Sequence, residues 1–418
     1  MKKLVLCAVL SVLFIFCSCR SLQNPAPAEN IETESETTTA ATTAETTAPV
    51  TTAPETTAPE NTEPVILTFF AVGDNLIHDN IYKEASEIAV SKNEGREYDF
   101  TPFYEPIAFD IRNADIAFIN QETPLAGKSY GYTGYPMFNS PQELGDDLQT
   151  LGFDVVNIAN NHMLDRRAEG LLSTIDFLDG KDMLQIGGYE NGYDYYKMRI
   201  LEKDGIKIAF LSFTYGTNGI VLDKGSDIVI PQFSDGYTVD ERMLKNAVAL
   251  AESAGDVTIV SMHWGNENTF EISYEQKTAA KILNEAGADV IIGTHPHVIQ
   301  TAEWLEAENG NRTLVYYSLG NVISAQTPLA NMLGGIAEFR IIKNGSEPLY
   351  IGDEKLTPTM TYFNSNFRKT TVYKLEDFPE ELVKTHGRSG VSSKSKEQIV
   401  QVIKDNIDCE FIADYYRE

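Results

Sequence analysis

Cysteine is scarce in this chain and nearly absent from its body. Of 418 residues only four are cysteines, and three of these, Cys7, Cys17 and Cys19, fall within the first 19 positions. The remaining one, Cys409, has no partner in the body of the chain, so an internal disulfide framework is excluded there. The body must therefore be stabilised by a hydrophobic core, and a content of 42% hydrophobic residues is enough to form one.

Basic residues are also few relative to acidic ones. The chain has 33 lysines and arginines against 61 aspartates and glutamates, which gives a formal net charge of -28. Such a protein repels phosphate backbones, so nucleic acid is not expected as a partner. An anionic polymer would be repelled as well, unless a metal ion or a local basic patch offsets the field.

The N-terminus has the composition of an export signal. Two lysines precede an apolar run over residues 4–16, which is too short to span a membrane comfortably. We predict a signal peptide of lipoprotein type over residues 1–19, with the lipid on Cys19, because a small serine precedes it whereas Phe16 precedes Cys17. An uncleaved anchor or a plain signal peptide are the alternatives. In each case the body is expected outside the cytoplasm, and lipidation would hold it on the outer face of the cell membrane.

A segment without large apolar side chains separates this signal from the body. Residues 20–64 consist mainly of Thr, Ala, Glu and Pro, a composition that cannot bury enough surface to fold and that predicts a disordered stalk. A folded domain is predicted over residues 65–345. Residues 346–418 are predicted to be a C-terminal extension that completes or flanks this domain.

The body alternates apolar, β-branched runs with helical patterns. This alternation predicts an α/β fold with parallel strands. Strands are expected near residues 65–72, 116–119, 155–159, 206–213, 257–262, 290–292 and 314–317, with helices over 167–178, 241–254 and 274–286.

Polar side chains of the kinds that bind metal ions follow most of these strands. Ligand sites in α/β sheets form at the carboxyl ends of strands, so we expect these side chains to meet. Carboxylate, amide and imidazole groups together suit one or two divalent ions such as Mn, Fe or Zn. The predicted ligands are Asp74, Glu122, Asn161, His263, His295 and His297.

Further residues are predicted to support this site. His162 could act as a general acid, with Asp165 fixing its tautomer, although capping of the following helix would also explain Asp165. Glu267 could orient the imidazole of His263, which otherwise reads as a core histidine packed against Trp264.

Six motifs in order resemble the CapA family of poly-γ-glutamate capsule synthesis proteins: AVGDNLIH, INQETPLAG, IANNHMLDRRAEG, MHWGNE, IIGTHPHVIQ and YYSLGN. That family is similar to calcineurin-like metallophosphoesterases, which implies a four-layer α/β sandwich around a site for two metals. The resemblance implies that Asp74 and His297 hold one ion and that Glu122 replaces a bridging aspartate. It also implies a second ion on Asn161, His263 and His295. In one departure, Leu76 stands where the phosphoesterase pattern has histidine, and His78 is a candidate replacement.

Three functions fit these observations. The resemblance implies a surface-anchored protein that acts in poly-γ-glutamate synthesis or export, together with capsule synthesis membrane proteins. A metal-dependent hydrolase of a phosphoester or polymer amide, unrelated to capsule, is the first alternative. A lipoprotein that binds the polymer without catalysis is the second.

Overall fold

The computed structural model describes residues 63–93 and 95–417. The predicted signal peptide, Cys19 and residues 20–62 of the predicted stalk lie outside the described residues. Within the described ranges, no helix is long and apolar enough to cross a membrane.

The described residues form strands and helices that alternate through most of the chain. The strands are β1 (Val65–Asn75), β2 (Ile116–Gln121), β3 (Val155–Asn157), β4 (Leu184–Ile186), β5 (Arg199–Lys203), β6 (Ile206–Thr214), β7 (Val257–His263), β8 (Val290–Thr294), β9 (Ile299–Glu306), β10 (Arg312–Leu319), β11 (Asn321–Ile323), β12 (Leu333–Lys343), β13 (Tyr350–Tyr362) and β14 (Thr371–Lys374). The helices are α1 (Asp79–Lys92), α2 (Ala108–Asn113), α3 (Glu143–Leu151), α4 (Arg167–Asp179), α5 (Gly192–Tyr196), α6 (Glu241–Ala254), α7 (Tyr274–Ala286), α8 (Leu329–Met332), α9 (Glu380–Thr385), α10 (Ser389–Ser392) and α11 (Lys396–Lys404).

The strands assemble into two mixed sheets. The first has the order β14-β13-β12-β1-β2-β3-β4, with β11 added beside β1, and the second has the order β5-β6-β7-β8-β10-β9. Strands β1 to β4 are parallel to one another, as are β6, β7, β8 and β10. Antiparallel strands extend each parallel core at its edges.

The two sheets stack face to face, and alternate side chains of β1 show how. Leu67, Phe69 and Ala71 join a core that also holds side chains of the second sheet, such as Phe210. Phe70 and Val72 point to the opposite face of the sheet, into a core shared with α1 to α4. Burying each large side chain stabilises the fold by about 1.5–3 kcal/mol. Period-two alternation in β1 therefore separates two apolar layers.

Helices α6 and α7 cover the outer face of the second sheet. Leu244 and Val248 of α6 and Leu283 of α7 pack with strand residues in a third core. Each helix begins with a side-chain cap, from Asp240 and Ser273 respectively, which satisfies a free backbone N–H. The order is helix, sheet, sheet, helix, so the predicted four-layer α/β sandwich is confirmed.

Residues after 345 continue the first sheet. Strand β13 pairs with β12 along most of its length, and β14 pairs with β13. Ile399 and Ile403 of α11 belong to the core between the sheets. The C-terminal segment thus contributes to the same core as β1.

A close backbone contact fixes the end of β1. The amide of Asp74 donates to the carbonyl of Gly320 at 2.8 Å. A Cβ atom on Gly73 would lie 2.0 Å from that same carbonyl oxygen, so only glycine fits before Asp74. The carboxylate of Asp74 is thereby held at the carboxyl edge of the sheet.

Candidate metal centre

Histidines of the second sheet lie at the carboxyl ends of two adjacent strands. His263 is the last residue of β7, and His295 follows β8 directly. His295 and His297 have φ angles of 97° and 58°, in the left-handed region that non-glycine residues seldom adopt. This backbone turns both rings to one side, with centroids 5.8 Å apart. Such conformations cost about 1–3 kcal/mol each and are typical of functional sites.

Asp74 of the first sheet meets these histidines across the gap between the sheets. Its Oδ2 lies 3.0 Å from Nδ1 of His297, and its Oδ1 accepts a hydrogen bond from Asn120. Burial alone would lower the pKa of His297, but the carboxylates of Glu122 and Asp74 raise it to about 9. The two sheets therefore contact each other directly at this edge.

Glu122 has a buried carboxylate without a hydrogen-bond partner. The residue is 1% exposed, and both Oε atoms are buried and unpaired among the described residues. Oε1 lies 3.8 Å from Nε2 of His297 and 3.9 Å from Nε2 of His263. Burial, followed by the nearby charge of Asp74, raises its pKa well above the usual value. A buried carboxylate without partners costs folding free energy unless a cation joins it.

Asn161, His263 and His295 lie together beside Glu122. Oδ1 of Asn161 is 3.0 Å from Nε2 of His263, and the ring centroids of the two histidines are 4.8 Å apart. Nδ1 of His295 is buried without a partner in the described structure. Burial, and next the neighbouring imidazoles, lower the pKa of both histidines well below the usual value. Both are therefore neutral, as metal-binding imidazoles must be.

His162 and Asp165 form a dyad at the rim. Nδ1 of His162 lies 2.8 Å from Oδ2 of Asp165, which also accepts the backbone N–H of Phe138. The ring of Phe138 packs edge-on against the imidazole, with centroids 4.7 Å apart. Asp165 thus contacts and orients the imidazole, and Nε2 has no hydrogen-bond partner among the described residues.

The donor set fits a divalent cation. Two groups of side chains bring their ligand atoms within 4.8 Å of one another: Asp74 with Glu122 and His297, and Glu267 with His295 and His297. The unpaired atoms of Glu122 and His295 are oxygen and nitrogen donors that no group in the described part of the chain satisfies. Oxygen and imidazole donors of this kind suit Mn, Fe or Zn.

One predicted contact is not made in the described structure, and the open candidate His78 lies outside the groups of ligand atoms. His263 is hydrogen-bonded through Nδ1 to Oγ1 of Thr294 at 2.9 Å and not to Glu267, which lies beside His295 and His297 instead. His78 joins neither group of ligand atoms. Its Nδ1 contacts the carbonyl of Leu76 and the N–H of Ala325, and burial lowers its pKa to about 4.

Several neighbours of the site were missed in the sequence. Oδ1 of Asn321 lies 3.0 Å from Nδ1 of His297, and the ring of Tyr215 lies 4.5 Å from that of His295. Asn218 contacts both Asn161 and His162. The YYSLGN motif carried a signal for Asn321, whereas Asn218 stands in a loop with no pattern of its own.

Comparisons with known proteins identify a sequence family that this chain matches. A sequence model of the family described as "Bacterial capsule synthesis protein PGA_cap" matches residues 68–326. The PGA biosynthesis protein CapA of Bacillus subtilis (strain 168) is 27% identical over 317 residues, which cover 74% of this chain and 78% of that protein. The capsule biosynthesis protein CapA of Bacillus anthracis is 27% identical over 266 residues, covering 61% and 63% respectively.

Solved structures of other proteins show a more distant likeness. A novel phosphatase from Mycoplasma pneumoniae aligns with a TM-score of 0.41 and 13% identity, covering 71% of this chain and 94% of that chain. A putative 5'-nucleotidase from Staphylococcus aureus aligns with a TM-score of 0.44 and 16% identity, covering 70% and 54%.

Proposed function

Because the chain belongs to the bacterial capsule synthesis protein family PGA_cap, we propose that it acts in poly-γ-glutamate synthesis or export through a divalent-metal site. The site lies where the carboxyl ends of strands from both sheets meet. The proposed ligands are Asp74, Glu122, Asn161, His263, His295 and His297.

One observation carries the metal proposal. The carboxylate of Glu122 is buried between two imidazoles and Asp74, and neither of its oxygens has a hydrogen-bond partner among the described residues. A protein without a cation at this position would bear the desolvation cost of the carboxylate, offset only in part by the imidazole of His297 at 3.8 Å. A bound divalent ion offsets that cost directly.

The arrangement suits hydrolysis or group transfer at an acyl or phosphoryl centre. A bound ion supplies Lewis acidity and lowers the pKa of coordinated water. His162, held by Asp165, is placed at the rim to give a proton to a leaving group from its free Nε2. Asn161 and His162 are adjacent in sequence but make different contacts. The amide of Asn161 faces His263, and the imidazole of His162 pairs with Asp165 at the rim.

The charge of the site favours a metal-bridged anionic substrate. Asp74, Glu122 and Glu267 bring carboxylates to the site and Asp165 lies beside it against His162, in a chain of net charge -28. A carboxylate-bearing polymer would be repelled by these groups alone. A divalent cation held by Asp74 and Glu122 would neutralise these carboxylates and offset the repulsion of an anionic polymer, which supports poly-γ-glutamate as the substrate class.

We propose in addition that the protein is held at the outer face of the cell membrane by a lipid on Cys19. The motif around Cys19 supports this, and capsule synthesis membrane proteins are the expected partners. Cells that express a Cys19→Ala variant should release the protein into the medium. Retention at the membrane with Cys19→Ala would contradict the anchor.

The test of the function is a turnover assay with purified protein. Mn²⁺- or Zn²⁺-loaded protein is incubated with poly-γ-glutamate and with a phosphoester panel, with and without chelator. We expect metal-dependent cleavage or transfer of the polymer, with a lower rate in His162→Gln. The matched control is His386→Gln, which should keep the wild-type rate. His386 is a buried histidine outside the proposed site, and its ring contacts the backbone carbonyl of Thr361. Turnover of phosphoesters alone would favour a hydrolase unrelated to capsule, and metal-dependent polymer binding without turnover would favour an accessory protein.

A further inference from the structure

A buried threonine stands behind one of the proposed metal ligands. Thr294 of β8 is the register partner of His263 on the adjacent parallel strand β7. Its Oγ1 lies 2.9 Å from Nδ1 of His263, and both residues are 0% exposed. Because water cannot reach this contact, the hydroxyl is the group that must satisfy Nδ1.

The neighbouring amides determine which nitrogen of His263 carries the proton. Nδ2 of Asn161 donates to Oδ1 of Asn218 at 3.2 Å, so the oxygen of the Asn161 amide faces Nε2 of His263 at 3.0 Å. An amide oxygen only accepts, so Nε2 carries the hydrogen. Nδ1 then has a lone pair, and the hydroxyl of Thr294 must donate to it.

Metal binding requires the opposite tautomer. The ring nitrogen that faces Glu122 and Asn161 is Nε2, and it can bind an ion only through its lone pair. The proton on Nε2 must therefore pass to bulk water, and a proton from water must reach Nδ1 during a transient local opening of the contact, so the imidazole stays neutral and no net proton is exchanged. Nδ1–H then needs an acceptor, and the oxygen of Thr294 is the atom in place.

We infer that Thr294 is a positioning residue that lets His263 change tautomer when the site takes up a metal ion. A hydroxyl donates in one state and accepts in the other, whereas a carboxylate or carbonyl could serve only the metal-bound state. The same change frees Oδ1 of Asn161 from its hydrogen bond, so two ligands become available together. The inference rests on the proposed metal site and adds to it the group that controls His263.

The tautomer can be read directly by NMR. Long-range ¹H–¹⁵N spectra of histidine-labelled protein distinguish the two ring nitrogens, and His263→Gln identifies the signal among the six histidines. We expect Nε2–H in protein treated with chelator and Nδ1–H after saturation with Zn²⁺, a diamagnetic probe. A wild-type signal with Nδ1–H before metal addition would overturn the inference.

Affinity measurements on two variants test the role of the hydroxyl. Thr294→Val keeps the shape and removes the hydroxyl, while Thr294→Ser keeps the hydroxyl. Zn²⁺ competition against a chromophoric chelator should show affinity weakened about 10- to 100-fold in the valine variant, the usual effect of losing a partner behind a ligand. The serine variant should recover most of the loss.

A matched control separates this effect from lost stability. Thr313 is also buried, lies near the start of β10, and donates to the carbonyl of Ala288 at 2.6 Å. Thr313→Val should reduce thermal stability without changing Zn²⁺ affinity. Tight Zn²⁺ binding that Thr294→Val leaves unchanged would overturn this inference alone, whereas failure of the wild type to bind Zn²⁺ would overturn the proposed function as well.

Discussion

Replacing Glu122 with glutamine should stabilise the metal-free protein and should make the protein less stable than the wild type when metal is bound. In the metal-free protein, the glutamate is a buried carboxylate without a hydrogen-bond partner among the described residues, beside the like charge of Asp74. Glutamine has nearly the same shape, carries no charge, and can donate to Asp74, whose oxygen lies within 4.8 Å. Replacing the buried charge by a neutral amide removes its desolvation cost and its repulsion from Asp74, which we expect to contribute about 1–3 kcal/mol. The apo variant should therefore melt a few degrees higher than the apo wild type.

In excess metal, the wild type should instead be more stable than Glu122→Gln. An ion present at about 1,000 times its Kd stabilises the folded wild type by about 4 kcal/mol, and the variant loses most of this gain because it lacks the second carboxylate. Scanning calorimetry in chelator and in excess Mn²⁺ measures both differences. Glu84→Gln is the control, because this buried glutamate accepts hydrogen bonds from Thr370 and should be destabilised equally with and without metal. A Glu122→Gln protein that is less stable in chelator, or that gains as much from Mn²⁺ as the wild type, would refute the reasoning.

Three further outcomes are expected. His162→Gln should lower turnover by about 10²- to 10⁴-fold with unchanged metal content, and an unchanged rate would remove the acid role. Asn218→Gly should weaken Mn²⁺ affinity by about tenfold, because the side chain that holds the amide of Asn161 is lost. Asn218 has a φ of 52°, which glycine adopts without strain, so the backbone should be unchanged. Calorimetric titration measures the affinity, and equal values for variant and wild type would contradict this role. Burial raises the pKa of Asp289 to about 7, so the free energy of unfolding should fall as the pH rises from about 4 to 7, by about 1–2 kcal/mol given the partial exposure of the residue. Denaturant titrations at a series of pH values should show a smaller dependence of this free energy on pH in Asp289→Asn. An equal pH dependence in the variant and the wild type would contradict the assignment.

The order of layers was predictable because buried strands and amphipathic helices leave strong patterns. Helices α6 and α7 begin and end where their apolar periodicity and caps predict, and β1 is continuous with the run before Asp74. Strands β4, β5, β9, β11 and β14 were missed. Strand β4 has three residues, and β5 is only partly buried, so neither leaves a distinct pattern.

The sequence could predict that the candidate ligands lie near one another, but it could not predict which side chains contact each other within the site. Strand ends of parallel sheets meet at one edge, which is why Asp74 and His297 lie together although 223 positions separate them. The partner of His263 depends on the register between β7 and β8, which places Thr294 opposite it. Glu267 is closer to His263 in sequence, yet the loop after β7 carries it to His295 and His297. Registers of this kind are set by packing across the sheet and leave no local pattern.

Anomalous diffraction from crystals soaked in Zn²⁺ tests the central claim most directly. Data collected at the zinc edge locate the ion without reference to any assay of activity. We expect a peak about 2.0–2.2 Å from ligand atoms of Asp74, Glu122 and His297, the usual zinc distances to oxygen and nitrogen. Absence of a peak at Glu122 in fully soaked crystals, with zinc bound only at surface carboxylates, would contradict a metal centre at this edge of the two sheets.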